Sequence, residues 1–178
     1  MRKYHYKMME KEENDKKLLK MSDEGNLNEV KTLLSGGGWV DVNFADVWTQ
    51  YTPLMNATYF NHKDLVKFLL VNGAEVNRMN QYGCSELHII SLRSALGQYR
   101  VSESVDLAKL LLSRKADPNK KNGQGNTPLH LAAYYGRKVL AKALLDGGAD
   151  LSVENNGGGD TVTFGFTYGT SGCGSSSH

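Results

Sequence analysis

Thr127-Pro128-Leu129-His130 recurs along this chain in a constant frame. Thr52-Pro53-Leu54-Met55 and Ser85-Glu86-Leu87-His88 are the two matching segments upstream. The step from Thr52 to Ser85 is 33 residues, and the step from Ser85 to Thr127 is 42, nine more. A more divergent copy begins near Lys16, with Leu18 and Leu19 in the apolar positions. A fixed period of this length is the sequence signature of a repeat architecture.

Later positions of each copy keep the same frame. A second apolar run occurs at 30–34, 66–70, 107–112 and 140–145. Turns rich in Gly, acidic residues and Asn follow at 41–43, 73–77, 116–119 and 147–150. Agreement at so many positions is a stronger signal than any single short motif.

These patterns predict two helices in each copy. Thr52 and Thr127 are good N-cap residues, since a side-chain oxygen can accept a hydrogen bond from the first turn. Pro53 and Pro128 suit that turn, where an amide proton has no helical partner. The apolar residues that follow recur at helical spacing, so each helix has one buried stripe.

Glycine and asparagine mark the ends of the predicted helices. One helix pair cannot bury its own apolar face, so neighbouring copies must stack. Four copies exceed the roughly three that such a stack needs. The breaks between helices fall at Gly25, Asn61 and Gly136, and Gly73 and Gly147 suit left-handed positions at helix C-termini.

Over residues 16–155 the sequence resembles the ankyrin-repeat family, whose repeat is about 33 residues long and carries a Thr-Pro-Leu-His signature. The resemblance implies an all-α solenoid of about four stacked helix-turn-helix repeats with β-hairpin-like fingers between them. We expect a charged segment at 1–15 and a repeat domain at 16–156, with repeats near 16–51, 52–84, 85–126 and 127–156. Residues 157–178 form a Gly/Ser-rich tail or a degenerate fifth repeat.

Two copies depart from the pattern. The third contains nine extra residues around 97–104, which predict either a longer first helix or a protruding loop. Its breaker position is Lys115 instead of Gly, which costs stability locally. The segment 36–39 widens the first turn between repeats. The first copy has Lys16-Lys17 in place of Thr-Pro, which is typical of a capping repeat with a hydrated outer face.

The C-terminal stretch admits three interpretations. Thr161 lies 34 residues after Thr127, where a fifth copy would begin, but the pattern then dissolves into alternating Thr, Phe and Tyr at 163–168. The stretch is a truncated fifth repeat, a non-native tail, or an apolar strap over the end of the stack. We favour a degenerate or truncated terminus.

Composition narrows the function classes. The formal net charge is only +2, and the basic residues of the first twenty positions alternate with acidic ones, which argues against nucleic-acid binding. No stretch has the length of apolar sequence that a membrane span needs, and the N-terminus lacks the apolar core of a secretory signal. Two cysteines are too few for a disulfide framework. The expected compartment is the cytoplasm, with the nucleus or a host cytosol as alternatives.

We expect no enzyme, metal site or cofactor. His88 and His130 are interpreted, through the family resemblance, as the signature histidines that hydrogen-bond neighbouring repeats. Cys84 has no histidine at a motif spacing, and no Cys/His set has zinc spacing. The Gly triplets at 36–38 and 157–159 lack the residues of a phosphate-binding loop. Ser102, Glu103 and Ser104 in the insertion have no nearby base.

The family resemblance implies a protein partner, bound by the fingertips and by the exposed end of the first helix of each pair. Large rigid aromatic residues occupy many of these positions, and such residues dominate binding energy at interfaces. Asp23-Glu24, in the equivalent slot of the first copy, could add an acidic rim for a basic partner segment. The predicted partner-binding residues are Trp48, Tyr51, Tyr59, Phe60, Gln81, Tyr82, Leu92, Arg93, Gln124, Asn126, Tyr134 and Tyr135.

The predicted function is therefore a scaffold or adaptor that grips a partner protein segment in a concave, aromatic-rich groove. The alternative is a structural fragment of a longer ankyrin array, which self-associates through an uncapped C-terminal end.

Overall fold

The computed structural model describes residues 2–159 and 161, and all regular secondary structure within them is helical, as predicted. The tail at 157–178 therefore lies almost wholly outside the described residues. The helices are α1 (Arg2–Glu24), α2 (Leu27–Ser35), α3 (Pro53–Tyr59), α4 (Lys63–Val71), α5 (Glu86–Ala95), α6 (Val101–Ser113), α7 (Pro128–Tyr134) and α8 (Lys138–Asp146).

The chain divides into two compact units. In the first unit, residues 1–81, α1 packs on α2 and α3, and α4 packs on α2 and α3. In the second, residues 82–178, α5 packs on α6 and α7, and α8 packs on α6 and α7. Each unit thus stacks two helix pairs around apolar side chains that exclude water. Fully buried core residues are Leu18, Val30, Leu54, Leu65 and Leu69 in the first unit, and Leu87, Ile90, Leu107, Leu111, Leu129 and Leu144 in the second.

The helix starts follow the predicted capping chemistry. The Thr52 hydroxyl oxygen accepts a hydrogen bond from the Met55 amide at 3.2 Å, and Thr127 accepts one from the His130 amide at 3.3 Å. A proline follows each of these threonines at the first helical position. The capping prediction is confirmed for both helices.

The charged N-terminal stretch is part of α1, which runs without a break across the predicted boundary at residue 15. Exposed Glu12–Lys16 and Glu13–Lys17 pairs, each four residues apart, line its surface. The buried carboxylate of Asp15 accepts hydrogen bonds from Lys11 and from the Asp41 amide, both at 2.7 Å. Asp15 thereby fastens α1 to the turn that follows α2.

The nine extra residues of the third copy lengthen both of its helices. Helix α5 is three residues longer than α3, and α6 is four residues longer than α4. The connection between them, 96–100, takes the remaining two. Both extensions lie at the ends that meet at this connection, and Tyr99 within it is buried. The insertion is thus mostly helical and is shared by both helices. The prediction had placed it either in a longer first helix or in a protruding loop.

Left-handed backbone ends the second helix of each pair. The residues that adopt it are Gly37, Gly73, Lys115 and Gly148, with φ between 65° and 93°. Lys115, at φ 65°, is confirmed as a non-glycine residue in a strained position. The assignment of Gly147 was wrong by one residue, since its φ is −89°. Gly147 instead makes room for Leu112, because a Cβ there would lie 2.5 Å from the leucine Cδ1.

The fingers are hairpin-like turns without strand structure in the described part of the chain. A backbone hydrogen bond closes each of three turns, with the first residue as donor and the last carbonyl as acceptor. The pairs are Asp46–Tyr51, Asn122–Asn126 and Asn155–Gly159. Asparagine side chains tie neighbouring turns together just before the fingers. Asn43 donates to the Gly73 carbonyl at 3.2 Å and accepts from the Glu75 amide at 2.7 Å, and Asn119 bonds Gly148 and Asp150 in the same way.

Candidate functional site

Two aromatic pairs occupy equivalent places at the C-terminal ends of α3 and α7. Tyr59 and Tyr134 are the last residues of these helices, and Phe60 and Tyr135 follow as C-cap residues. The rings meet edge to face, with centroids 5.0 Å apart for Tyr59–Phe60 and 4.9 Å for Tyr134–Tyr135. The helix must stop here because the next residues, Asn61 and Gly136, adopt left-handed backbone.

Fractional exposure separates these residues from the core. Phe60 is 46% exposed, Tyr134 41% and Tyr135 42%. Aromatic side chains of this exposure keep apolar surface available to a partner.

In the first unit the aromatic pair forms one wall of a pocket. The Tyr51 ring lies 6.1 Å from the Tyr59 ring at 80°, which extends the edge-to-face series to three rings. The cavity volume is about 480 Å³, within the range of roughly 300–1,000 Å³ common for ligand sites. Its lining residues are Leu19, Asp23, Asp46, Thr49, Tyr51, Asn56, Tyr59 and Phe60; we call it the first-unit pocket.

Asp46 builds the finger that borders this pocket. Its Oδ1 atom accepts hydrogen bonds from the Trp48 amide at 3.1 Å and from the Thr49 amide and hydroxyl, both at 2.7 Å. The Thr49 bonds, more than the Trp48 bond, lower the pKa of the Asp46 carboxyl because they stabilise its ionised form. Trp48 consequently stands at the tip of the finger, 82% exposed.

The C-terminal part of α1 supplies Leu19 and Asp23 to the lining of the first-unit pocket. His62 Nε2 lies 2.8 Å from the backbone oxygen of Asp23, and the His62 ring stacks on Phe60 with centroids 6.1 Å apart. Gly25 permits this approach, because a Cβ there would lie 2.5 Å from His62 Nδ1. His62, the N-cap residue of α4, thus holds α1 beside the aromatic pair.

The electrostatics of Asp23 differ from those of Asp46. Partial burial raises the pKa of the Asp23 carboxyl, and the negative charges of Glu24 and Asp46 act in the same direction. A hydrogen bond from Asn56 and the proximity of His62 oppose the increase. The net effect of these groups is to disfavour the negative charge of Asp23.

The remaining predicted residues are distributed between the two units. Gln81, in the first unit, is exposed, and its backbone amide donates a hydrogen bond to the Thr49 carbonyl at 3.1 Å. Tyr82, in the second, is 66% exposed, and its carbonyl accepts from the Gly123 amide at 3.0 Å. Gln124 is exposed, whereas Asn126 is buried and 6% exposed. Asn126 therefore belongs to the scaffold of its finger more than to an open surface.

Leu92 and Arg93 do not lie directly before a helix break. Helix α5 continues to Ala95, so both residues fall inside it and are half-buried. Ala95 and Leu96 directly precede the left-handed Gly97 and hold the positions that Tyr59 and Phe60 hold in α3. The helical part of the insertion is the reason for this shift.

Sequence reasoning missed Leu19, Asp46 and Asn56 as members of the first-unit pocket. The segment Asp46-Val47-Trp48-Thr49 contained a usable signal. An aspartate side chain often accepts hydrogen bonds from the backbone amides two or three residues later and so stabilises a turn. Leu19 and Asn56 carried no such signal, since their part in the pocket depends on how α1 packs against α3.

His88, His130 and Cys84 have structural roles. His88 Nε2 lies 2.9 Å from the Asn126 carbonyl, and His130 Nε2 lies 3.2 Å from the Gly159 carbonyl, so each histidine bonds the finger that follows its own helix pair. Burial raises the pKa of the Cys84 thiol, which reduces its thiolate fraction. Across residues 2–159 and 161, no three His, Cys, Asp or Glu side chains group in a way that could hold a metal ion. Within the same residues, no helix combines the length and apolarity needed to cross a bilayer.

Comparison with family models agrees with this architecture. A model described as "Ankyrin repeats (3 copies)" matches residues 18–99. A second model, "Ankyrin repeats (many copies)", matches residues 98–145. Together the two matches cover residues 18–145, from the last part of α1 into α8, and the chain belongs to the ankyrin-repeat family.

Proposed function

We propose that this chain is a scaffold or adaptor that binds a segment of a partner protein through its exposed aromatic residues. Ankyrin repeats are protein-interaction modules in general, which supports the broad class. The observation that carries the finer proposal is the edge-to-face series Tyr51–Tyr59–Phe60 along one wall of the first-unit pocket.

The core of the first unit does not require these rings. Leu54, Met55 and Ala57 of α3 supply its buried face, each with at most 1% exposure. Phe60 and Trp48, by contrast, expose much of their apolar surface. Aromatic side chains with few rotatable bonds lose little entropy on binding, so they are favoured as interface anchors.

The second unit carries a related surface of its own. Tyr134 and Tyr135 repeat the arrangement of Tyr59 and Phe60, and Tyr82 is exposed in the finger of that unit. We assign these tyrosines to partner contacts as well and test them with separate variants.

Two tryptophans provide a matched test. Trp48 stands at the fingertip beside the pocket, whereas Trp39 lies in the turn after α2 and is 67% exposed. The intact chain is immobilised, a captured protein is identified and purified, and its Kd is measured for Trp48→Ala, for Tyr59→Ala/Phe60→Ala and for the control Trp39→Ala. Circular dichroism verifies that every variant is folded.

We expect Trp39→Ala to bind like the intact chain and the other two variants to bind at least about tenfold more weakly, as anchors at an interface do. Equal affinities for all four proteins would contradict the proposal. Capture of copies of the chain alone would favour self-association through the C-terminal end. The same comparison with Tyr134→Ala/Tyr135→Ala tests the second unit.

A further inference from the structure

We infer that the first-unit pocket receives a cationic side chain of the partner segment, with arginine preferred over lysine. This inference rests on the proposed function and specifies the chemistry of the segment bound. Charge complementarity identifies the occupant: of the eight lining residues, Asp23 and Asp46 are acidic and none is lysine or arginine.

The two carboxylates meet the pocket from different elements. Asp23 comes from the C-terminal end of α1, and Asp46 comes from the finger between α2 and α3. Burial contributes most to the raised pKa of Asp23, and the nearby charges of Glu24 and, to a smaller extent, Asp46 raise it further. A bound cation would relieve this repulsion, because an opposite charge within a few ångströms favours the ionised form of a carboxyl group.

The basic side chains near the pocket form bonds to other groups. Lys20 pairs with Glu24 at 3.8 Å, on the neighbouring residue. The Nε2 atom of His62 is bonded to the Asp23 backbone oxygen rather than to the carboxylate. The lining itself therefore supplies two carboxyl groups and no lysine or arginine to pair with them.

The aromatic walls add a second attraction for a cation. The planes of Tyr51 and Phe60 are inclined at 80° and 76° to that of Tyr59, so the walls meet at nearly right angles. A cation over an aromatic face gains about 0.5–2 kcal/mol, more where water is excluded.

Arginine fits this combination better than lysine. Its planar guanidinium stacks on aromatic faces while its N–H groups bond carboxylates two at a time. It is also more weakly hydrated than an ammonium group, so its transfer into a pocket lined by Leu19 and aromatic rings costs less.

A random peptide library, displayed and selected against the full chain, tests the inference without a known partner. The recovered peptides are synthesised, and their Kd values are measured for the intact chain, Asp23→Asn, Tyr59→Ala/Phe60→Ala and Glu29→Gln. Glu29→Gln is the control, because it removes one negative charge from the exposed first turn of α2, outside the pocket lining. Each peptide is also made with its arginine replaced by glutamine.

We expect the selected peptides to share an arginine and to lose at least about tenfold in affinity with Asp23→Asn, in agreement with the strength of charge-assisted hydrogen bonds. Glu29→Gln should change the affinity less than threefold. The glutamine peptides should bind the intact chain and Asp23→Asn equally, which shows that the arginine acts through Asp23.

Other outcomes separate the two proposals. Peptides that lack a basic residue and depend on Tyr59 and Phe60, but not on Asp23, would overturn the inference and leave the proposed function standing. Peptides that bind all variants equally, or the recovery of no binding peptide, would count against both.

Discussion

The Nε2 atom of His88, a fully buried histidine, lies 2.9 Å from the backbone oxygen of Asn126 in the following finger. At the other side of the same ring, the Ser85 hydroxyl lies 2.9 Å from Nδ1. Burial lowers the pKa of His88 to about 4, against the opposing effect of the Asn126 bond. The imidazole is therefore neutral in the folded protein and bonds the first helix of its repeat to the finger that precedes the next helix pair.

We predict from this pKa that the second unit loses stability in mild acid. A histidine in the unfolded chain titrates near 6.5, so between about pH 6.5 and pH 4 the unfolded state binds more protons than the folded state. The free energy of unfolding therefore falls as the pH falls through this window. Over the whole window, at about 1.36 kcal/mol per pH unit, the free energy of unfolding falls by about 3 kcal/mol.

Urea titrations at half-unit pH steps measure this dependence, with His88→Gln as the control that lacks the titrating group. The variant should be less stable at pH 7 and should show a flatter profile between pH 6.5 and 4. Parallel profiles for the two proteins would exclude His88 as the source.

Lys115→Gly is predicted to stabilise the protein by about 1 kcal/mol, since Lys115 has φ 65° and only glycine adopts left-handed backbone without a Cβ penalty. Gly73→Lys is the reciprocal variant: Gly73 has φ 88°, and an added Cβ there meets no atom within 4 Å. It should therefore lose about 1 kcal/mol through backbone strain alone. Thermal denaturation of both variants checks the pair, and an unchanged or lower midpoint for Lys115→Gly would contradict the prediction.

Gly25→Ala should destabilise the first unit more than Gly136→Ala destabilises the second. The two glycines have similar φ values, 73° and 65°, so the backbone penalty of about 1–2 kcal/mol is common to both. Only Gly25 faces a neighbour, since its Cβ would lie 2.5 Å from His62 Nδ1 whereas Gly136 has no atom within 4 Å.

The excess loss should therefore disappear in the double variant Gly25→Ala/His62→Ala, measured by chemical denaturation against His62→Ala alone. A Gly25→Ala loss that persists undiminished after removal of the imidazole would show that the close contact is not its cause.

Asn119→Ala is predicted to cost about 1–2 kcal/mol, because it leaves the Gly148 carbonyl and the Asp150 amide without their side-chain partner. Asn72→Ala is a suitable control. The Asn72 side chain is exposed and bonds only one turn back, to the Phe68 carbonyl of its own helix. Hydrogen exchange should also show faster exchange of the Asp150 amide in Asn119→Ala. Equal stability losses in the two variants would argue against a special role for the bond between repeats.

The sequence by itself determined the repeat, the helix starts and the aromatic positions. Caps such as Thr52 and Thr127 act within three residues, and left-handed turns at Asn61 or Lys115 follow from the frame of the repeat, so short-range chemistry and spacing are enough to predict them. The roles of His88 and His130 followed from the family resemblance for the same reason, since each occupies a fixed place in its copy.

Tertiary structure alone decided which of these residues meet. The first-unit pocket joins Leu19 and Asp23 of α1 to Asp46 of the finger and Asn56 of α3, residues up to 37 positions apart. The tertiary structure also decided three features of the second unit. Asn126 is buried, α5 continues past Leu92 and Arg93, and the insertion is divided between two helices. Local periodicity fixes the direction in which a side chain leaves its own helix. It does not fix what the next helix or finger places opposite, because that depends on packing between repeats.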